Sequence, residues 1–374
     1  MDSGTPGERE TAAGGVAIRL CVRIGTRLLQ DHPAGRLHRL ARTADAAGID
    51  SLWVPEAPFY WDAFAILGSL ARTTHRVRLG TGVTSPYLRP PHLLAMSAAT
   101  LDRLAEGRAF LGLGRSLPQW YRRLLGMETG EPVRVMEETL TLLRQWWRAP
   151  HQASSAGHFQ VRGLPRYTHG QQPVLPVYLA AVGPRMRRLA ARLADGVLLQ
   201  WPTVDFVRKA AKEARYEASE AGRSPEELSL IVATAVEVTR DTGAALDGTR
   251  RELALHLVVP GMERSITGTE HDVPLMVSNV RQAMRAKEVL DGGGWTRDFE
   301  RVGDLEAAAR AIPADLAARV AAVGPIDTVR RRLAEYRDAG ATHFFVPAPA
   351  DQPSEEYAEY LASISPPGET GGGR

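Results

Sequence analysis

Lysine is almost missing from this chain: Lys209, Lys212 and Lys287 are the only three among 46 basic residues, and arginine supplies the rest. Such a bias follows from GC-rich codon usage and points to no particular ligand. Against 43 acidic residues the formal net charge is only +3, and the basic side chains are scattered among acids. Without an aromatic-interleaved basic stripe, nucleic acid is not an expected partner. Cysteine is limited to Cys21, inside an apolar run, so no intrachain disulfide or cysteine metal cluster can form and a buried core thiol is expected. No stretch approaches ~18 consecutive apolar residues, and the polar start, residues 1–15, lacks the apolar centre of a signal peptide. A soluble cytoplasmic protein without a membrane partner is therefore expected. The histidines show no pair at metal-ligand spacing beside carboxylates, which argues against a metal site. His75 and His343 read as structural and His92 as a surface residue. A GxSxG elbow is also lacking, which disfavours hydrolase chemistry.

What is present is ample core material, 44% apolar residues in a chain of 374, enough for one large domain. Residues 1–15 and 366–374 have the composition of flexible ends, leaving 16–365 as a single domain. Within it, short apolar runs alternate with amphipathic stretches, the pattern of βα units that build a parallel sheet or barrel. Strands are expected at Ile18–Ile24, Asp50–Val54, Val77–Val83, Arg108–Gly114, Pro176–Ala181, Asp195–Trp201, Leu228–Val238 and His343–Ala348. Helical spacing follows most of them: Leu37, Leu40, Ala41, Ala44 and Ala47 up to Gly48, then 62–74, a helix opened by Pro90-Pro91, one beginning near Pro184, and 203–221. Residues 149–172, rich in Pro, Gly, His and Gln, read as an inserted loop of the kind that shapes a substrate site, and 244–320 as a helical excursion between strands seven and eight. A helix over Ile326–Ala339 leads into the last strand, and Tyr357–Ile364 is expected to cover the barrel's end. The fold class is thus α/β, an eight-stranded (β/α)8 TIM barrel with a helical insertion.

Reactive groups of such barrels stand at strand C-termini, which assigns Glu56, Thr84, Ser85, Gly114, Arg115, Ala181, Gly183, Gln200 and Trp201 to one mouth. Glycines at Gly80, Gly82, Gly112 and Gly114 permit close backbone approach to a flat ligand, or alternatively mark bulges that close the barrel. Gly183-Pro184-Arg185-Met186 follows a strand and opens a helix, so its free N–H groups suit an anion; an ordinary strand-to-helix turn is the alternative. Glu56 is the candidate carboxylate, either hydrogen-bonding a ring edge or giving a proton. Trp61 is expected to reach the pocket and Phe59 the core; Trp53, Tyr87, Trp120, Tyr121 and Trp201 are wall candidates.

Five blocks in order resemble the luciferase-like flavin and deazaflavin oxidoreductases, in particular the branch of methylenetetrahydromethanopterin reductase. They are Ala44–Glu56, Arg76–Pro91 (RVRLGTGVTSPYLRPP), Thr100–Gly114 (TLDRLAEGRAFLGLG), Pro176–Leu199 (PVYLAAVGPRMRRLAARLADGVLL) and Ala321–Pro347. The resemblance implies a cis peptide at Gly82-Val83 supporting a tricyclic ring, with Thr84, Ser85, Gly114 and Ala181 around it. It also implies a cofactor phosphate on Gly183 and Pro184. Arg185 and Arg188, three positions apart on one helix face, are the expected partners of the anionic tail, with Arg187 left in solvent. Two departures stand out. Leu117 occupies the place of a frequent acidic residue, and Glu56-Ala57 that of an Asp-His pair, which puts alcohol oxidation in doubt.

The segment from Thr81 to Tyr87 and Ala311–Leu316 resemble the coenzyme F420 branch. Deazaflavin passes hydride in two-electron steps, so the resemblance implies a reductase acting on an activated C=C or C=N bond of a small metabolite or modified peptide. An FMN-dependent monooxygenase and a non-catalytic cofactor-binding barrel are the alternatives, and a homodimer is the expected assembly.

Overall fold

The computed structural model describes residues 23–27 and 32–347, together with Glu356, Glu359, Tyr360, Ser363 and Ile364. Cys21 and most of the first expected strand lie outside the described residues. Eight strands, all parallel, close a barrel: β1 (Arg23–Arg27), β2 (Ser51–Val54), β3 (Arg78–Thr81), β4 (Ala109–Leu113), β7 (Val177–Ala180), β8 (Gly196–Gln200), β9 (Ser229–Ala233) and β12 (His343–Pro347). The described first strand overlaps its expected span at Arg23 and Ile24; Arg23–Arg27 pair with β12 and Gly25–Arg27 with β2.

Helices sheathe this barrel: α1 (Ala34–Ala46), α2 (Ala63–Ala71), α3 (Pro91–Leu104), α4 (Pro118–Leu125), α5 (Pro132–Trp147), α6 (Pro184–Leu193), α7 (Val204–Glu220) and, before the last strand, α14 (Ile326–Asp338). Alternation along the strands divides the apolar side chains into two layers, since successive strand residues point to opposite faces. Leu52, Val54, Leu79, Leu111, Val177, Leu179, Val232 and Phe344 face the helices. Trp53, Phe110, Tyr178, Leu198, Ile231 and Phe345 fill the barrel interior, with the Trp53 and Phe110 rings 4.4 Å apart and those of Trp53 and Phe345 4.9 Å apart. Gly80 makes room for this aromatic layer: a Cβ there would lie 2.4 Å from the Phe110 ring. Below it, Arg78 donates to the Tyr178 hydroxyl (2.8 Å) and Asp50 (2.9 Å), plugging the N-terminal end.

Three expectations are corrected. Residues 149–172 are not a bare loop but carry an antiparallel hairpin, β5 (Gln152–Ala156) and β6 (Gln160–Pro165). This segment joins a helix to a strand and so belongs to the N-terminal end of the barrel; Gln172 Nε2 donates to the carbonyl of Ala109, the first residue of β4 (2.8 Å). The hairpin's root is thus at the end opposite the mouth. The expected seventh strand also splits. Beyond Ala233 the chain leaves the barrel as Thr234 Oγ1 bonds the Val320 carbonyl, and β10 (Val236–Val238) pairs with β11 (Ala322–Gly324) in a separate two-stranded sheet. Tyr360 reaches that small sheet, its hydroxyl donating to the Val236 carbonyl at 2.5 Å.

Between β10 and β11 runs the helical excursion: α8 (Thr242–Leu257), α9 (Val273–Ala283), α10 (Ala286–Asp291), α11 (Thr296–Val302), α12 (Leu305–Arg310) and α13 (Ala314–Val320). It has its own core, in which Leu253, Leu257, Val280, Phe299, Leu316 and Val320 are buried. Trp120 of α4 and Trp201 after β8 join that core, so the excursion is clamped to the strand ends that form the barrel mouth.

Candidate active site

The interior aromatic layer stops short of the mouth, and above it the inward positions are small. Val83, Gly114, Ala180 and Leu198 form the floor of a cavity of about 1390 Å³ that opens between the strand C-termini and the excursion. At Gly114 the absence of a side chain matters, because a Cβ would lie 2.6 Å from Val83 Cγ2. The Gly82–Val83 peptide bond is cis, as expected. Gln200 and Trp201 border the same space, and Trp201 (φ 49°) and Ser116 (φ 53°) take the left-handed backbone uncommon for bulky or branched side chains, both just beyond strand ends.

On one side the cavity reaches the start of α6. Pro184 sits at the first helical position with no side-chain cap, so the first-turn N–H groups are left to a ligand or water. Arg264 approaches that turn: a Cβ on Gly183 would be 3.4 Å from its Nη1. Arg115 also lines the cavity, and its guanidinium is held below its usual range by burial, which Tyr87 opposes and nearby Arg264 reinforces. No ion pair joins either arginine to a carboxylate among the described residues. Two neighbouring unneutralised cations beside a helix N-terminus are an environment for an anionic group.

Several expected residues meet here. Val83, Gly114, Ala181, Gly183, Pro184 and Arg185 all border the cavity, with Arg185 also 3.4 Å from Glu131. Others stand behind its wall. Gly82 packs toward Trp53, where a Cβ would be 2.7 Å from Trp53 Cβ. Buried Thr84 gives its hydroxyl to Glu56, and buried Ser85 hydrogen-bonds Tyr121, whose phenol burial holds above its usual range. Glu56 is engaged through both oxygens, one with Thr84 and the other with Arg89 at 2.8 Å, and does not border the cavity.

Four placements differ from expectation. Arg188 turns away from the cavity to Glu217 (2.7 Å), its side chain 63% exposed. Arg187 is the buried member of the run, 5% exposed, bonded to Glu213 and the Val182 carbonyl, and it lines the cavity together with Glu213. Of the two residues three positions apart, Arg185 therefore borders the cavity while Arg188 reaches α7. Trp61 is 54% exposed and outside the cavity lining, and Phe59 is exposed rather than core. The reason is local: Asp62 caps α2 through Ala65 N–H (2.8 Å) and pairs with Arg89, so the loop before it turns outward. Phe59 instead meets Trp295 edge-on at 5.1 Å, and Trp295 packs on Trp120 at 3.7 Å.

Residues not foreseen come from the excursion. Glu252, Leu255, His256 and Val259 line the cavity from one face of α8 and its extension, at the helical spacing i, i+3, i+4, i+7. That spacing was the available signal, although it does not say which cavity the face would meet. Burial pushes the His256 imidazole down to about 3, which keeps it neutral. Its Nε2, like Trp120 Nε1, is buried with no hydrogen-bond partner among the described residues. Among those residues no group of three or more His, Cys, Asp or Glu could hold a metal ion, and no helix is long and apolar enough to cross a membrane.

A closed parallel barrel, open at its strand C-termini to a glycine-floored cavity beside a helix N-terminus, has the arrangement of a barrel enzyme. The chain belongs to the luciferase-like monooxygenase family, whose profile matches residues 16–343, and it is an oxidoreductase. It is 32% identical over 325 residues to a Mycobacterium tuberculosis protein provisionally named coenzyme F420-dependent oxidoreductase Rv3520c, covering 83% of this chain and 89% of that one. It is 31% identical to the phthiodiolone/phenolphthiodiolone dimycocerosates ketoreductase of the same species, covering 83% and 80%. In fold it is similar to the F420-dependent tetrahydromethanopterin reductase of Methanopyrus kandleri, with a TM-score of 0.72 at 23% identity over 92% of this chain and 97% of that one.

Proposed function

We propose that this oxidoreductase binds reduced coenzyme F420 and transfers its hydride to an activated C=C or C=N bond of a small metabolite or modified peptide. The observation that carries the reading is the continuity of one cavity from the Val83–Gly114 floor to the cationic turn at Gly183. The residues present fit such a group: glycine where a Cβ would collide, free N–H groups at the start of α6, and Arg115 and Arg264 without carboxylate partners. The names of the relatives, an F420-dependent oxidoreductase and a ketoreductase, support this cofactor and a reductive direction.

When bound, the deazaflavin supplies a hydride donor that passes two electrons together and does not readily activate oxygen. The chain's own residues orient it. The Gly183 turn and the arginines would hold its phosphate and anionic arm, while Val83 and Ala180 support the ring region. Trp120, Trp295 and Phe59 pack on one another where the excursion meets the barrel.

The test is anaerobic incubation of the protein with reduced deazaflavin and a panel of conjugated enones and imines. Reoxidation that depends on both protein and acceptor supports the reading. Oxygen consumption with FMN and no acceptor-dependent deazaflavin oxidation would replace it with monooxygenation.

A further inference from the structure

One polar side chain rises from the barrel interior toward the mouth on β8. Leu198 points inward there, and Gln200, two residues on, shares its face. Leu198 belongs to the packed interior layer, so Gln200 stands one layer higher, exposed and bordering the cavity. Its neighbours on the adjoining strands, Ala180 and Ala233, have no group to pair with an amide. No hydrogen bond joins the Gln200 side chain to another described residue. Gln200 also marks a junction. The floor at Val83, Gly114 and Ala180 lies toward β3, β4 and β7, whereas a smaller cavity of about 50 Å³ lies toward β9 and β12, beside Ala233, Thr234 and Phe345. Gln200, Trp201 and Glu252 border both spaces. The excursion thus brings the Glu252 carboxylate, which has an interaction of its own, to the same junction, and Glu300 adds a second carboxylate to the large cavity. An anion is disfavoured beside them and is served by Arg115 and Arg264 near the α6 turn. A cation would leave the Gln200 NH2 without an acceptor.

We infer that Gln200 is the specificity-determining residue of this cavity and that it selects a neutral substrate amide of the lactam type. A primary amide presents a donor and an acceptor side by side. A lactam, held cis by its ring, presents its C=O and N–H on one edge, so the two meet through a pair of hydrogen bonds. A trans peptide points these groups to opposite edges and forms only one of the pair. The inference deepens the proposed function and rests on it in calling the ligand the substrate; the amide contact itself does not. A deazaflavin ring also carries an amide edge. The position of Gln200 beyond the floor, on the side of β9 and β12, assigns it to the substrate instead.

The experiment titrates the full chain, without cofactor, with δ-valerolactam, its N-methyl derivative, cyclohexanone and piperidinium chloride, following ligand NMR line widths. The lactam should bind at least about tenfold more tightly than the N-methyl lactam and the ketone, since only it makes both bonds. In Gln200→Met, and in Gln200→Glu, whose ionised carboxylate cannot donate, that preference should fall to about twofold or less. Equal affinity of the three neutral probes for the wild type, or a preference that survives both substitutions, would overturn the assignment. Tighter binding of piperidinium than of the lactam would overturn it too. The lactam titration is then repeated with saturating oxidised deazaflavin. Joint binding supports the substrate assignment, whereas displacement of the lactam would transfer Gln200 to the cofactor ring and overturn it. If deazaflavin does not bind at all, the reductase reading fails while the amide contact stands.

Discussion

His256 provides a proton-linked stability term that can be read without knowing the substrate. Its imidazole is buried with an unpartnered Nε2, and burial lowers its pKa from 6.5 to about 3. Between those two values the unfolded chain binds one proton more than the folded chain. Stability therefore rises with pH across this window and is lost as pH falls below the unfolded value. For one such group, lowering pH from 7 to 5 removes about 2 kcal/mol, the equivalent of ~1.5 pH units below 6.5 at 1.36 kcal/mol each. Replacing His256 by leucine deletes the term and leaves every other titrating group in place. Urea unfolding of both proteins at pH 7 and pH 5 should thus show the wild type losing about 2 kcal/mol more than His256→Leu. Equal losses in the two proteins would mean that His256 titrates normally and is not buried as described.

Other substitutions separate roles that the sequence leaves merged. Arg187→Ala should lower unfolding free energy by about 2–3 kcal/mol, since it strips a buried donor from Glu213 and the Val182 carbonyl, whereas exposed Arg188→Ala should cost under about 1 kcal/mol; denaturant midpoints check both. Gly114→Ala drives a Cβ toward Val83 on the cavity floor and should weaken deazaflavin binding about tenfold by titration, while the fold is kept. Glu56→Gln breaks the contact with Arg89 and should cost about 1–3 kcal/mol of stability while leaving the pH profile of turnover in place; a lost limb in that profile would instead make Glu56 a proton-transfer group.

The barrel was legible because its strands alternate: Leu52 and Val54 go outward while Trp53 goes inward, and Phe110 and Tyr178 do the same between apolar neighbours. The Gly183 turn was legible too, as a strand followed by Gly-Pro and a basic helix. Local pattern ran out where tertiary contacts decide. Leu228–Val238 reads as one apolar strand, and only the bond from Thr234 to Val320, distant in sequence, splits it. The hairpin of β5 and β6 is polar and mostly exposed, so it carries little periodic signal. Helical spacing grouped Arg185 with Arg188 without saying that only Arg185 would border the cavity. Likewise Trp61 was an aromatic near a strand end, and the outward turn that exposes it depends on Asp62 and Arg89. The excursion's contribution, His256 above all, depends on where a long insertion folds back, which no local spacing reveals.

In the proposed function the cavity running from Gly114 to the Gly183 turn holds a deazaflavin by ring and anionic arm together. The most direct measurement is calorimetric titration of the purified protein with oxidised coenzyme F420 and, in parallel, with FMN, each repeated on Arg264→Ala. Saturable deazaflavin binding, clearly weakened by the substitution, and much weaker FMN binding are expected. Tight FMN binding with no heat from the deazaflavin would contradict it.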